Sequence, residues 1–344
     1  HPSRMKRKLL TCAALALAAG SLSPIAWTTE PSSSVTKAAR QWLEQMIEAR
    51  QTLNYEGTFI YIQGPHVESM RIIHGSSPEG ERQRLFSLNG PPREVVVANN
   101  HVICLLPRQQ ATFPGSDYQR SPFPLSIPRE LGRLENHYAF EMLGEDRIAG
   151  LETQVIAIKP RDAWRFGYRL WLDERNGMLL RSALLDEQAQ PVEQLMFTDL
   201  QVKSQIDESA FESPVLSPDV ASTSEPGNPD PLPPAGEPVA ESAWRVGPLP
   251  EGFTKVLHNR FTEASGQHPT EHLVFADGLA TISVFLEKLD KDPPILQGES
   301  RFGSMNAFGR VVAGHQVLVV GEVPAATVQR IASSIQHAPE AAKP

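Results

Sequence analysis

One stretch, Phe166–Asp186 (FGYRLWLDERNGMLLRSALLD), constrains the fold of this chain more than any other. Side chains in its first half alternate between two faces, as in a β-strand. One face carries Tyr168, Leu170 and Leu172, and the other carries Arg169 and Trp171. The motif DERNG at 173–177 then reverses the chain, because Asn and Gly tolerate positive φ. The stretch is therefore predicted to form a β-hairpin.

The returning strand of this hairpin, Met178–Leu185, is apolar on both faces. A half-exposed antiparallel strand would alternate between apolar and polar residues. The strand must therefore be covered on both sides, by a helix, by a second layer of structure or by a bound apolar ligand. The centre of a covered sheet is the ordinary explanation of such a pattern.

Length and composition narrow the class of protein. A chain of 344 residues is too long to fold around one small hydrophobic core, which predicts two domains. The net charge of −8 and the isoelectric point near 5.7 give no indication of nucleic-acid binding. Removal of an N-terminal leader would leave Cys104 as the one cysteine, so no internal disulfide is expected.

Residues 1–27 have the form of a secretory signal peptide with a few upstream residues. Basic side chains at 4–8 precede a short apolar run at 9–22, and cleavage is expected near Ala26. The apolar run is shorter than a membrane span requires. The mature protein is therefore expected in a bacterial periplasm.

Residues 34–213 are predicted to form a large domain that is mainly β. Apolar residues recur at helical spacing within Ser34–Leu53, which predicts an amphipathic helix. Roughly ten antiparallel strands follow, separated by turn signals, and a meander of that length must curl with the helix closing one side. The proline-rich stretch Phe113–Arg129 is predicted to be a long loop across the sheet.

Residues 214–243 are rich in proline and almost free of large apolar side chains, which predicts a linker. A small α+β domain is expected at 244–338, followed by a frayed tail at 339–344. Its clearest element is the hairpin Glu271–Glu287, in which Asp277-Gly278 suits a type I′ turn. An apolar stripe after Pro324 predicts a closing helix.

No spacing typical of catalysis or metal binding occurs in the sequence, so neither an enzyme nor a cofactor is expected. One positive chemical signal remains on the central hairpin. Arg169 and Trp171 share a face, and further arginines lie nearby in sequence, an arrangement that suits an amphiphile with an anionic head group. The alternative is a solvated arginine edge beside a packed tryptophan.

Several segments together resemble the RseB/MucB family of periplasmic regulators. In the large domain the resemblance rests on WLEQMIEARQTLNYEGTFIY (42–61), FGYRLWLDERNGMLLRS (166–182) and QLMFTDLQV (194–202). In the small domain it rests on LPEGF (249–253), HLVFADGLATISVFLE (272–287) and VVGEVPAATVQRIASSI (319–335). The order and combination of these segments are more specific than any one of them.

The resemblance implies an unclosed β-barrel similar to the lipoprotein carrier LolA, with plugging helices, joined by a linker to a small α+β domain. It also implies a partner, the periplasmic part of a membrane-spanning anti-sigma factor of the RseA/MucA type. The family shields that partner from the site-1 protease and so keeps the envelope-stress sigma factor inactive. Lipid or lipopolysaccharide is the implied releasing signal, and self-association of the chain stays open.

Two sets of residues are the candidate binding sites. The lipid-cavity candidates are Phe59, Tyr61, Arg169 and Trp171. The partner-binding candidates lie on the second hairpin and are His272, Val274, Phe275, Asp277 and Gly278. The competing hypothesis is a periplasmic lipid or lipoprotein carrier of the LolA type, built on the large domain alone. The family-like hairpin of the small domain favours the regulator.

Overall fold

The structure, a computed structural model, describes residues 33–77, 80–98, 101–106, 109–114, 127–213, 236–262, 268–289, 294 and 296–338. Two antiparallel sheets account for most of it, as the α+β fold class predicted. The predicted signal peptide, residues 214–235 of the predicted linker, the predicted tail and most of the predicted long loop lie outside the described residues. So does the side chain of Cys104.

The first sheet has eleven strands. They are β1 (Asn54–Gln63), β2 (His66–Ser77), β3 (Gly80–Ser87), β4 (Glu94–Ala98), β5 (His101–Leu106), β6 (Gln109–Pro114), β7 (Tyr138–Ile148), β8 (Leu151–Pro160), β9 (Gly167–Asp173), β10 (Leu179–Leu185) and β11 (Pro191–Lys203). Their order across the sheet is β6-β5-β4-β3-β2-β1-β11-β10-β9-β8-β7. Strands therefore pair with their neighbours in sequence, except that β1 joins β11 and that β6 and β7 form the two opposite edges of the sheet.

The long helix α1 (Ser33–Thr52) packs on the inner face of this sheet. Its apolar stripe of Ala39, Leu43 and Met46 is buried, because helical spacing places all three on one side. α1 contacts both β7 and β2, which lie far apart in the strand order, and β7 also approaches β11. The sheet therefore curls around the helix into an unclosed barrel.

The central hairpin forms where it was predicted, from β9 to β10. Gly177 adopts a φ of 75°, which the DERNG turn requires of its last residue. The inner face of β9 and β10 packs into the core with α1. On the other face Trp171 is 5% exposed and the Arg181 guanidinium lies 4.3 Å from its ring centroid, so side chains of the sheet itself cover part of that surface.

The stretch predicted as a long loop differs from the prediction at its start. Strand β6 occupies the start of the stretch predicted as a loop, since its backbone pairs with β5 despite the prolines that follow. Ile127 and the short helix α2 (Leu131–Leu134) lie near the end of that stretch and are packed into the core. The ends of the predicted loop are therefore anchored on the domain.

The second sheet has seven strands and a covering helix. They are β12 (Glu237–Pro238), β14 (Thr254–Phe261), β15 (Thr270–Ala276), β16 (Thr281–Lys288), β17 (Gly298–Phe302), β18 (Met305–Val312), β19 (His315–Gly321) and α3 (Ala325–Ser334). The strand order is β12-β14-β15-β16-β19-β18-β17. A separate pair joins β13 (Trp244–Arg245) to β20 (Gln336–His337).

Residues 236–243, which were expected to belong to the linker, are attached to the small domain. Strand β12 pairs with β14, and the Val239 amide donates to the His258 carbonyl at 3.0 Å. The Ser242 hydroxyl also donates to Glu271 at 2.7 Å. Residues 236–243 therefore pack with the small domain, because backbone pairing with an edge strand does not need large apolar side chains.

Candidate functional site: the domain contact and two exposed sheet faces

The loop between β8 and β9, residues 161–166, inserts into the small domain and is called the docking loop below. Arg165 at its centre is only 2% exposed. Its Nη1 lies 2.7 Å from Oδ2 of Asp277 in the small domain, and its Nη2 donates to the Glu251 carbonyl at 2.5 Å. Asp162 of the same loop pairs with it as well. A buried arginine with this many partners ties the two domains together.

Asp277 is saturated by these contacts. Its Oδ2 accepts a hydrogen bond from the Tyr138 hydroxyl at 2.8 Å in addition to the arginine. Its Oδ1 accepts from the amides of Leu279 and Ala280 at 2.9 and 2.7 Å. Burial raises the pKa of Tyr138, and the charge of Asp277 raises it further, so this phenol stays protonated.

The turn at Asp277 is not the predicted type I′ turn. A type I′ turn needs positive φ at both central residues, yet only Gly278 has one, at 106°. The carboxylate of Asp277 caps a four-residue turn instead, and β16 starts at Thr281. A Cβ atom on Gly278 would lie 3.0 Å from Leu134 of the large domain, so the turn also packs across the contact.

A second set of polar contacts joins the domains around two glutamates, Glu193 and Glu322, which are called the carboxyl pair below. Glu193 of β11 and Glu322, which follows β19, both contact the hydroxyl of Ser304. The Oγ atom of Ser304 lies 3.1 Å from Glu193 and 2.5 Å from Glu322. Gln63 of β1 donates to Ser304 at 2.9 Å, and Ser304 is fully buried. Two carboxyl groups from different domains thus share one hydroxyl.

The docking loop also contacts α3. The hydroxyl of Thr327 donates to the Trp164 carbonyl at 2.9 Å, and the guanidinium of Arg330 lies 4.8 Å from the Trp164 ring centroid. Gly252 packs so tightly on His137 that a Cβ atom there would lie 2.5 Å from the ring. The contact between the domains is therefore closely packed and partly charged.

The four lipid-cavity candidates do not lie together. Tyr61, Leu195, Ser182 and Leu170 are register partners across four neighbouring strands, so they share the inner face. Phe59 shares that face too and is 1% exposed within the core. Arg169 and Trp171 alternate with Leu170 and lie on the outer face. Within the described residues the four candidates therefore do not line one common surface.

The outer face around Trp171 carries two adjacent arginines, and the group is called the arginine patch below. The Trp171 indole donates to Asp146 at 2.8 Å, and Arg181 lies over the ring and donates to Gln194 at 2.7 Å. The Nε groups of Arg169 and Arg181 are buried without a hydrogen-bond partner among the described residues. Burial lowers the pKa of Arg181, and the positive charge of Arg169 lowers it further.

A hollow lies at the surface of the large domain. A shallow hollow of about 520 Å³ is lined by Leu151, Arg175, Asn176, Leu200, Gln201 and Val202. It opens at the end of the barrel, and neither Phe59 nor Tyr61 lines it. Both aromatic residues are packed with α1 and neighbouring strands instead.

The partner-binding candidates divide between the two faces of the small sheet. Phe275 points into the core beneath α3, with Leu273 and Val284. His272 and Val274 lie on the opposite face. There the rings of His272 and Phe285 stack with their centroids 4.4 Å apart, and Nε2 of His272 forms a hydrogen bond with the Ser283 hydroxyl at 3.1 Å. The register places further apolar residues beside them, and the group is called the outer face of the small sheet: Leu257, Phe285, Leu318 and Val320.

Sequence reasoning missed the residues that hold the two domains together. Arg165, Glu193, Ser304 and Glu322 were not among the candidate sites. The available signal was the docking loop itself, DAWRF at 162–166, which places two large aromatic residues and an arginine between two strands. Asp277 and Gly278 were singled out, but the large domain occupies them.

Comparison with known proteins identifies the family. The family model of the MucB/RseB N-terminal domain matches residues 38–215, and that of the MucB/RseB C-terminal domain matches residues 238–336. The chain belongs to the MucB/RseB family. This membership agrees with the resemblance on which the predicted fold and function depended.

Members of the MucB/RseB family with curated names are similar along most of their length. The sigma factor AlgU regulatory protein MucB of Pseudomonas aeruginosa is 32% identical over 317 residues, which cover 88% of this chain and 92% of MucB. The sigma-E factor regulatory protein RseB of Escherichia coli K12 is 30% identical over 311 residues, with the same two shares. Both names describe regulators.

A solved structure of the MucB/RseB family has the same fold. The complex of Pseudomonas aeruginosa MucA and MucB superposes with a TM-score of 0.69 at 28% identity, covering 88% of this chain and all of that chain. Within the described residues no cluster of three or more metal-ligating side chains occurs. No helix among those residues is long and apolar enough to cross a membrane.

Proposed function

We propose that this protein is a periplasmic regulator that binds the periplasmic segment of an anti-sigma factor. In doing so it protects that segment from the site-1 protease and keeps the envelope-stress sigma factor inactive. The observation that carries the proposal is the match to MucB along both domains, because a MucB of this fold has been solved in complex with MucA. The N-terminal leader supports a periplasmic address.

The binding surface that we propose is the outer face of the small sheet. α3 covers the other face, and no helix among the described residues packs over His272, Val274 and their apolar neighbours. A segment from a single-pass membrane protein is short and becomes ordered on binding. Such a segment binds best to a preformed apolar surface that has hydrogen-bonding groups at its edge. Asp277 and Gly278 would act indirectly, by holding the sheet against the large domain.

The releasing signal that we propose is an anionic lipid, and its head group would bind the arginine patch. Two adjacent guanidinium groups offer positive charge and hydrogen-bond donors to an anionic head group. No carboxylate lies within ion-pair distance of Arg169 among the described residues, so its charge is available to a phosphate-bearing ligand.

A carrier of the LolA type is the second candidate, because the curled sheet and α1 would serve lipid transfer as well.

A binding experiment tests the outer face of the small sheet. Leu318→Lys places a charge on that face, at a partly exposed position, while Leu143→Lys places the same charge on the large domain, where Leu143 is 43% exposed. Calorimetry with a purified anti-sigma periplasmic segment should give weaker binding for Leu318→Lys alone. Equal affinity of both variants and the parent would reject this surface.

Absence of any binding by the parent protein would favour the carrier. In that case transfer of a fluorescent lipid or lipoprotein between vesicles should depend on the large domain. A regulator should instead form a stable complex with the anti-sigma segment and should not transfer lipid or lipoprotein repeatedly between vesicles.

A further inference from the structure

The carboxyl pair has an unusual proton balance. The Ser304 hydroxyl has one proton to donate, yet two carboxyl groups lie within hydrogen-bond distance of its oxygen. Gln63 already donates to that oxygen, so it still has one acceptor site. All partners are satisfied when exactly one carboxyl is protonated: it donates to Ser304, and Ser304 donates to the other carboxylate.

The surroundings offer no positive charge that would let both carboxyl groups ionise. The β1 side contributes Tyr61, which hydrogen-bonds Glu193, and Gln63. The negative charges of both glutamates and of Asp277 act on Tyr168 of β9, and Glu68 of β2 adds to the charge around Tyr61. Among the described residues, no lysine, arginine or histidine lies within ion-pair distance of Glu193 or Glu322.

From this geometry we infer that a proton shared by Glu193 and Glu322 closes the contact between β1 and β11 of the large domain and the β17–β18 end of the small domain, so that this contact opens as the pH rises. The inference does not rest on the proposed function, because it concerns the protein alone. The Arg165–Asp277 ion pair stays intact in this opening, since no proton is shared between its partners.

The direction of the pH dependence follows from Glu193. Burial raises its pKa from the ordinary 4.5 to about 7, and the neighbouring charge of Glu322 adds to the effect. The closed contact therefore holds a proton that separated domains would release. It has its full strength below pH 4.5 and weakens progressively as the pH rises through 7. The neutral to mildly alkaline range is where opening is expected.

Amide substitutions isolate the shared proton. Glu193→Gln and Glu322→Gln each replace a carboxyl group by a neutral group that can still donate to Ser304 or to the remaining carboxylate. Either variant should therefore stay closed at every pH. Glu187→Gln is the matched control, since it removes the same charge from an exposed position six residues before Glu193.

Two measurements on the mature full chain test the inference. Spin labels at the exposed positions Gln201 and Glu299, with Cys104 replaced by serine, report the distance between the domains by double electron–electron resonance. Carbon-13 NMR of glutamate carboxyl groups, assigned with the two amide variants, reports the titration of the carboxyl pair directly. Both measurements are made at pH 5.5, 7 and 8.5 on four proteins: the parent, Glu187→Gln, Glu193→Gln and Glu322→Gln.

We expect one short distance at pH 5.5 in all four proteins. At pH 8.5 the parent and Glu187→Gln should show a longer or broader distribution, while both amide variants keep the short one. One glutamate carboxyl should titrate near neutrality. The inference is overturned if the parent distance is the same at pH 5.5 and 8.5, if no glutamate titrates above pH 6, or if the amide variants open like the parent.

Discussion

The guanidinium of Arg165 lies 2.7 Å from the carboxylate of Asp277, and both side chains are fully buried between the two domains. The two residues are 112 positions apart in sequence. A fully desolvated pair of this kind is costly to break, because the remaining partner keeps a charge that water cannot reach. The pair therefore fixes how the docking loop meets the small domain.

Substitution of Arg165 should strongly destabilise the protein. Arg165→Met leaves Asp277 buried with its charge unbalanced, for an expected loss of about 3–5 kcal/mol in the free energy of unfolding. Urea unfolding followed by circular dichroism measures the loss. Arg161→Met, at an exposed arginine of the same docking loop, is the control and should change stability little. Similar losses for both variants would contradict a special role of the buried pair.

The aromatic candidates of the inner face are expected to stabilise the fold rather than to contact lipid first. Phe59→Ala opens a cavity at a residue that is 1% exposed, which should lower the free energy of unfolding by about 3–5 kcal/mol. Thermal unfolding monitored by calorimetry checks this. A variant with unchanged stability but lost lipid binding would instead assign Phe59 to a ligand cavity.

The arginine patch gives a separate prediction about lipid. Arg169→Gln removes the charge and keeps a polar hydrogen-bonding side chain, so binding to vesicles that contain an anionic lipid should weaken by about 1 kcal/mol, or about fivefold. Vesicle co-sedimentation at two salt concentrations measures this. Arg133→Gln serves as control, since the Arg133 side chain is 86% exposed on the other part of the domain. Equal weakening in both variants would indicate only a general loss of positive charge.

Limited proteolysis tests the predicted linker. The composition of residues 214–235 cannot supply an apolar core, so a protease of broad specificity should cleave there first. Two resistant fragments are expected on gel electrophoresis and mass spectrometry, one ending near 213 and one starting near 236. First cleavage within the eleven-stranded sheet would contradict the domain boundaries proposed for this chain.

Much of the fold could be predicted because it depends on local patterns. The helix α1, the central hairpin and most strands follow from helical spacing, alternation and turn residues within short windows. The prediction of a type I′ turn at Asp277 was wrong, because the carboxylate caps the turn and pairs with Arg165 of the other domain. A local sequence pattern carries no information about that contact. Strand β6 was missed because pairing with β5 outweighs its weak β pattern.

The candidate site was harder to predict from sequence. Phe59 and Tyr61 share one strand face because they are two residues apart, but the relation of that face to Trp171 depends on the register through β11 and β10. The carboxyl pair depends on the placement of two domains, and nothing near Glu193 in sequence indicates Glu322. Residue type and spacing suffice for elements, whereas contacts between domains require the coordinates.

The most direct test of the regulator is a reconstituted cleavage assay. It combines the purified anti-sigma periplasmic segment, the site-1 protease and the mature protein, with the cleaved fraction followed by gel electrophoresis over time. We expect the protein to slow cleavage in proportion to the complex formed, Leu143→Lys to slow it equally, and Leu318→Lys not to slow it. An unchanged cleavage rate at protein concentrations that saturate the segment would contradict the account.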